Sequence, residues 1–488
     1  MPSFHSLVIL VSVLMLVCVF VSKLLTRAGV PILILFIGAG MLMGTDGIFK
    51  ISFDNPALTH EIGNIALCFI LFHGGMELNW KTARPVLGRG LLLSTAGVAL
   101  TAALTGLAAV LLSGMSLANG LLLGAVLSST DAASLFAILK SQKLRLRGSI
   151  GPLLELESGT NDPVAYLLVL ALIGFAQHPA AGFGTYALLL AREIGFGALI
   201  GAGLGFGTVF LLNHVRFHIE SMYFIVGLAL MMLTYSVCAF IEGNCFLAVF
   251  LAGAILGNSS FLRKLRFIGF FEGQSWLAQI LLFLTLGLQV FPSRLGPVAL
   301  EGLGVAAALI LVIRPLVVAA LLAPLRVPLR EQLFVAGAGF RGAASIVFAT
   351  YPIVAGLPAA EDIFNIVFVI AVVSILLQGT LLGPLARRLR VAKPQENAAA
   401  LREFRQYADE LSDLPVLGAF VPPGSRAAGK SVRELGMPEG VRILAMRQQE
   451  RYAPVEGRTV LRAGDRLLLT TRSEEDLERI CEQWGLET

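Results

Sequence analysis

Cysteine is scarce and scattered. Cys18, Cys68, Cys238, Cys245 and Cys481 form no CxxC pair and no Cys/His cluster, and four of them sit within apolar stretches. This spacing excludes a disulfide framework and a zinc site and leaves small buried residues. Charge is thin too, at 14% of 488 residues. An intramembrane hydrolase would need an HExxH, a GxSxG or a paired serine and histidine, and none is present. No TVGYG-like loop exists, which removes the carbonyl filter a regulated potassium channel requires. A basic tail for nucleic acid is missing as well: residues 1–393 carry 24 Lys and Arg against 16 Asp and Glu, and residues 394–488 carry 13 against 16.

Apolar residues are abundant. They make up 56% of the chain, and long apolar runs recur from the first ten residues to about position 390, so the chain reads as a polytopic membrane protein with lipid as its surroundings. At ~20 residues per crossing, thirteen spans are expected, near 5–22, 30–45, 61–79, 90–113, 116–139, 150–176, 184–212, 220–241, 244–258, 274–291, 296–323, 331–354 and 362–386. The first run has no basic residue before it and has Lys23 and Arg27 after it, which predicts a retained span with its N-terminus outside rather than a cleaved signal. Alternate loops then hold 19 basic residues, against only Lys50 and Arg294 in the others. That asymmetry predicts an odd span count and a cytoplasmic C-terminus.

After Lys393 the pattern changes. Residues 394–414 read as a polar linker, and from Pro415 short β-rich runs (VLGAFV, VRILAM, RLLLTT) alternate with turn signals and helix-like stretches at 431–436 and 474–485. A cytosolic α+β module of this size buries little surface alone, so a homodimer is expected. Six glycines of the seventh span, Gly195, Gly197, Gly201, Gly203, Gly205 and Gly207, predict close helix packing at that dimer interface.

Polar residues inside the spans carry the chemistry, since a charge at membrane depth is costly and needs a reason. Ser128-Ser129-Thr130-Asp131 interrupts the fifth span, and Gly337-Ala338-Gly339-Phe340-Arg341-Gly342 interrupts the twelfth. These spans are seven apart, and paired interruptions of this kind point to a transporter's ion site. The sixth span holds Glu155-Leu156-Glu157-Ser158-Gly159-Thr160-Asn161-Asp162-Pro163. Ser158 and Asp162, four apart, share a face; Glu157 and Asn161 form a neighbouring stripe. A carboxyl taken out of water favours its protonated form, so Asp162 can hold a proton or release it for a small cation bound by oxygen. Glu157 points partly away and needs a cation, which Arg341 or Arg314 could supply. Glu155, nearer the helix end, is expected to serve neither role.

At these residues the chain resembles the monovalent cation:proton antiporter superfamily, in its sodium/proton and potassium/proton exchanger branch. ESGTNDP is similar to that branch's Asn-Asp motif, SSTDAAS to its unwound crossing helix, FHGGMEL to its third-span acidic motif and GFRGAAS to its late arginine motif. The resemblance implies an all-α fold of thirteen helices in two inverted six-helix repeats, assembled as a homodimer, with the fifth and twelfth helices crossing. It implies that Asp162 binds the cation and the proton alternately, that Asp131, Thr130 and Ser158 complete the cation site, that Glu77 joins through water, and that Glu157 forms a structural ion pair, with Arg341 slightly preferred over Arg314 as its partner. It implies no cofactor beyond transported K+ or Na+ and H+. Asn161, where other members carry a second aspartate, is the pattern associated with electroneutral exchange. Residues 415–485 resemble the C-terminal half of regulatory domains on potassium channels and transporters, and hence the potassium/proton antiporters named for cell-volume regulation, with a small-molecule ligand expected there. No GxGxxG loop precedes that half, which argues against an NAD-type ligand. A sodium/proton antiporter is the main alternative; an organic-anion symporter would need a roomier, less acidic site.

Overall fold

The computed structural model describes residues 33–488 except 143, 181, 216, 218, 220, 262, 395–415, 438–440, 449–450, 454, 471–475, 477–479, 482 and 487–488; of residues 1–32 it describes Ser12, Val13, Leu16 and Phe20. Nearly all of the first expected span and of the expected linker, and about half of the expected helix-like stretch at 474–485, lie outside the described residues. Two compact units are present, Met1–Pro394 and Gln395–Thr488.

The first unit is helical, as lipid requires of a backbone that must satisfy its own hydrogen bonds. In chain order its helices are α1 (Leu33–Met43), α2 (Pro56–Glu77), α3 (Trp80–Ser113), α4 (Leu117–Val126), α5 (Ala132–Ser141), α6 (Ile150–Gln177), α7 (Phe183–His214), α8 (Ser221–Phe240), α9 (Cys245–Asn258), α10 (Lys264–Gln289), α11 (Pro292–Leu322), α12 (Leu329–Gly337), α13 (Ala343–Val354) and α14 (Ala360–Arg388). Among the described residues eight of these are long and apolar enough to cross a membrane, and α1, α4, α9 and α13 are shorter apolar helices. The second to thirteenth expected spans each fall on one helix or on a broken pair. α3 and α10 start about ten residues before the expected spans, because Lys81, Arg84 and Arg89, and Lys264, Arg266 and Glu272, lower the hydropathy of segments that are still helical.

Contacts group these helices into two bundles. α1 packs on α10, α2 on α9 and α10, and α7 and α8 on α9; α3 packs on α4, α6 and α11, while α11 and α13 pack on α14. The bundles meet where α2 touches α13 and α9 touches α6. Two further features tie chain ends and loops together. A short antiparallel pair joins β1 (Leu144–Leu146) to β2 (Ala392–Pro394), with Leu144 opposite Pro394. The Ser293 N–H and hydroxyl donate to Asp46, and these bonds hold its carboxyl below the usual carboxylate range.

Close helix contacts rest on glycine. A Cβ on Gly253 of α9 would run into the Phe72 carbonyl of α2, and one on Gly257 into that of Met76. In α7, Gly197, Gly201 and Gly205 face Asn244, Ala248 and Ala252 of α9. The packing expected of these three is therefore within the chain, not between copies; a Cβ on Gly195, Gly203 or Gly207 would meet nothing within 4 Å among the described residues.

The second unit is a four-stranded antiparallel sheet in the order β3-β6-β4-β5: β3 (Val416–Phe420), β4 (Arg442–Gln448), β5 (Arg451–Ala453) and β6 (Arg466–Thr470). Three of these strands are the expected runs; β5 is additional. α15 (Val432–Leu435) is started by a capping box between Ser431 and Glu434. Buried Ala419, Val421, Met446, Leu461, Leu467, Ile480 and Trp484 form the core.

Gly253→Ala forces α2 and α9 apart, at the ~1–3 kcal/mol typical of overpacking. The expected result is a lower midpoint for thermal unfolding of the detergent-solubilised chain. An unchanged midpoint would show that the backbone approach is not a constraint.

Candidate ion-binding site

A helix broken at membrane depth frees backbone groups that need partners. The break between α4 and α5, residues 127–131, lies against the break between α12 and α13, residues 338–342. The Asp131 N–H donates to the Phe340 carbonyl at 3.1 Å. Arg341, 1% exposed, donates from Nη1 to the carbonyls of Ser128 (3.1 Å) and Ser129 (2.6 Å), the acceptors left open past the C-terminus of α4. Its own N–H donates to Ser374 Oγ at 2.9 Å, on α14. The Asp131 carboxylate caps α5, accepting from the Ser134 N–H (3.0 Å) and hydroxyl (2.6 Å), and lies against Gly342 at the start of α13. One carboxylate therefore stands at the positive ends of two half-helices, and one guanidinium serves a negative end. Gly342 is glycine for a steric reason: a Cβ there would strike the Asp131 carboxylate.

α6 runs beside this crossing. Asp162, 6% exposed, accepts a hydrogen bond from the Ser129 hydroxyl. Ser158 donates to the Thr130 carbonyl at 2.6 Å, and the Asn161 amide donates to the Thr130 hydroxyl. Thr130, Asp131, Ser158, Asn161 and Asp162 are thus brought together as the sequence suggests. Ser129 is the member that sequence reasoning left out, although it stands inside the SSTDAAS stretch: which of three adjacent hydroxyls reaches Asp162 depends on the course of the unwound chain.

Glu157 is paired with Arg314, both nearly fully buried. The slight preference for Arg341 is corrected. Arg341 is held by the carbonyls of the opposite break, whereas Arg314 directly follows a π-helical turn, Leu309–Ile313, that interrupts the regular phase of α11. Its guanidinium lies along Gly339, where a Cβ would come within 2.8 Å of Nε. A second π turn, Leu93–Gly97, lies in α3 against α6. The two π turns, like the two breaks, occur in spans seven apart.

A cavity of about 150 Å³ connects Asp162, Ser158, Thr130 and Asp131 to Glu155, Glu77, Lys140 and Glu272. The Lys140–Glu272 pair (3.0 Å) and Glu77, 55% exposed, form its outer rim. Glu77 therefore stands at the entrance rather than at Asp162, with the His73 ring 3.9 Å away. The cavity gives a small cation an aqueous path to one buried carboxylate surrounded by hydroxyl and carbonyl oxygens. This ligand chemistry suits hard cations.

Crossed broken helices around a buried carboxylate define a secondary transporter of small cations. The chain matches the family described as sodium/hydrogen exchanger, transmembrane, over residues 11–388, and the TrkA-C domain over residues 416–483. It belongs to the sodium/hydrogen exchanger family, and is a multi-pass membrane transporter performing cation/proton antiport. It is similar to the K(+)/H(+) antiporter NhaP of Alkalimonas amylolytica, 38% identical over 81% of this chain and 69% of that one. The K(+)/H(+) antiporter NhaP2 of Shewanella oneidensis is 34% identical over 98% of this chain and 83% of that one. The fold is shared with the sodium proton antiporter MjNhaP1 of Methanocaldococcus jannaschii, with a TM-score of 0.68 at 23% identity over 78% of this chain and 99% of that one.

Arg314→Ala leaves Glu157 buried without its cation and costs about 3–5 kcal/mol. Thermal unfolding of the single variant should fall well below that of the parent chain. Joined to Glu157→Gln, it should recover most of the loss; no recovery would mean that Arg314 acts on something other than Glu157.

Proposed function

We propose that this chain exchanges potassium for protons across a bacterial inner membrane, with cation and proton competing for Asp162. The observation that carries the reading is the position of Asp162 at the closed end of the cavity, beside the oxygens of Ser129, Thr130 and Ser158. In the cation-loaded state Asp162 is a carboxylate, and those oxygens with Asp131 replace water around the ion. In the other state Asp162 carries a proton. Alternating access between the two faces then couples the flows without further machinery. Asn161 adds no charge, which supports one cation for one proton and electroneutral exchange. Arg341, Arg314 and Glu157 hold the crossing and do not bind the ion. Glu77 acts at the entrance.

Potassium is favoured over sodium because relatives at 38% and 34% identity are potassium/proton antiporters. The regulatory role in potassium, pH and cell-volume homeostasis rests on the same relationship. The basic loops face the cytoplasm, so the described cavity faces inward, the N-terminus is outside and the C-terminal unit is cytosolic. That unit has a cavity of about 620 Å³ lined by Arg433, Ile443, Val455, Glu456, Gly457 and Arg458 among others, which supports a small-molecule ligand. A homodimer fits the face of α7 that carries Gly195, Gly203 and Gly207, where an added Cβ would meet nothing within 4 Å among the described residues.

In proteoliposomes, Asp162→Asn should reduce cation-dependent collapse of a pH gradient to background, and potassium should drive more proton flux than sodium in the parent chain. Retained exchange in the variant would remove Asp162 from the site. A chain ended at about residue 395 should still exchange, with an altered response to pH or ligand; loss of the dimer instead would make the unit structural.

A further inference from the structure

The two helix bundles separate around a cavity on one side of Asp162 and are closed on the other, and the closed side is built from polar groups rather than from a plain apolar seal. Just past the cavity α2 and α13 come close: a Cβ on Gly63 would lie 3.0 Å from Val347, which is fully buried. One turn further out a chain of hydrogen bonds joins the same two helices. The Thr350 hydroxyl donates to the Val347 carbonyl at 2.6 Å, so its oxygen is left to accept from His60 Nδ1 at 2.9 Å. His60 Nε2 then accepts from Asn64 Nδ2 at 3.0 Å, and Asn64 Oδ1 accepts from the Tyr351 hydroxyl at 2.9 Å. The His60 and Tyr351 rings meet edge to face with centroids 4.3 Å apart. Tyr166, one turn beyond Asp162 on α6, packs on Tyr351 (5.4 Å) and on Phe246 of α9 (5.0 Å).

Each bond in this chain has one donor and one acceptor, and the set is fully matched with neutral His60 carrying its proton on Nδ1. A second proton on Nε2 would face the Asn64 NH2 group. Turning the Asn64 amide to accept it would point the NH2 group at the Tyr351 oxygen, leave the Tyr351 hydroxyl proton without its acceptor and place a charged ring in the contact between the helices. Buried polar groups left unmatched in this way are costly, so proton binding at His60 works against the contact between α2 and α13. The titratable and charged groups around His60 are Glu61 on α2, Tyr351 on α13, Tyr166 on α6 and Tyr235 on α8.

We propose that His60, Asn64, Thr350 and Tyr351 form the latch that closes Asp162 off from the face opposite the cavity, and that a proton arriving from that face releases it by binding His60. The latch joins one bundle to the other and so must part when access alternates. Proton supply on the far side then favours the state in which Asp162 can receive a proton from there. Tyr351 and Asn64 are positioning residues in this scheme. The proposal rests on the antiport reading and on its assignment of the cavity to the cytoplasmic side.

The test uses the full-length chain with its five cysteines replaced by alanine and Val347→Cys added, in right-side-out membrane vesicles. A membrane-impermeant maleimide is applied from outside at pH 8 and pH 6. Thiol reactivity itself changes with pH, so rates are divided by those of the same chain carrying His60→Gln. The expected ratio rises roughly 3- to 10-fold on acidification, the population change that one net hydrogen bond controls. A ratio that does not change with pH overturns the proton trigger. Tyr351→Phe, which keeps the ring and loses the hydroxyl, should raise labelling at pH 8 by a similar factor; no rise overturns the latch. Labelling only in inverted vesicles overturns the outward assignment. Cation/proton exchange is measured in the same vesicles. Its absence strikes the antiport reading, whereas exchange with unchanged labelling strikes the latch alone.

Discussion

The rest of the structure depends on how two interrupted helices satisfy each other at membrane depth. Neither break could stand alone in lipid, where an unmatched carbonyl or N–H has no water to turn to. Set against one another, they close the account: Phe340 accepts from Asp131, the carbonyls of Ser128 and Ser129 accept from Arg341, and the Asp131 carboxylate caps α5 beside the start of α13. What remains available near the crossing is Asp162 on the intact helix α6, with hydroxyl oxygens turned toward it. The ion site is thus a product of the same hydrogen bonds that make the break tolerable.

Support for this crossing comes from the next layer. The buried Glu157–Arg314 pair links α6 to α11, and a buried pair of this kind is better evidence for a specified geometry than for stability. The π turn before Arg314 shifts the phase of α11 at the residue that must reach Glu157. Glycines at helix contacts then let the helices within each bundle lie close, as α9 does against α2 at Gly253 and Gly257 and α4 against α3 at Gly124. Between the bundles, the two sides of Asp162 differ in kind. One is an aqueous cavity with charged groups at its rim; the other is a neutral hydrogen-bonded and aromatic contact.

Much of this was legible in the chain. Long apolar runs located the spans, since hydropathy over about 20 residues is a property of sequence alone. Small polar residues in the middle of the fifth and twelfth spans marked the breaks, and the i, i+4 spacing of Ser158 and Asp162 put them on one face. Element starts were less legible where charged residues extended a helix beyond the membrane, as in α3 and α10. The strands of the C-terminal unit followed alternation and turn signals, except β5, which is only three residues long.

What the sequence determined by itself, then, is the membrane character, the broken helices and the identity of the buried carboxylates, because each follows from composition or local periodicity. What only the tertiary structure decided is pairing. Glu157 could meet either arginine on chemical grounds; the course of α11 and the crossing of the breaks assign it to Arg314. Three hydroxyls in a row could reach Asp162, and the unwound backbone selects Ser129. His60, Asn64 and Tyr351 lie almost 300 positions apart at the extremes and form a contact that no local pattern announces. Which groups face each other is set by the packing of helices distant in sequence.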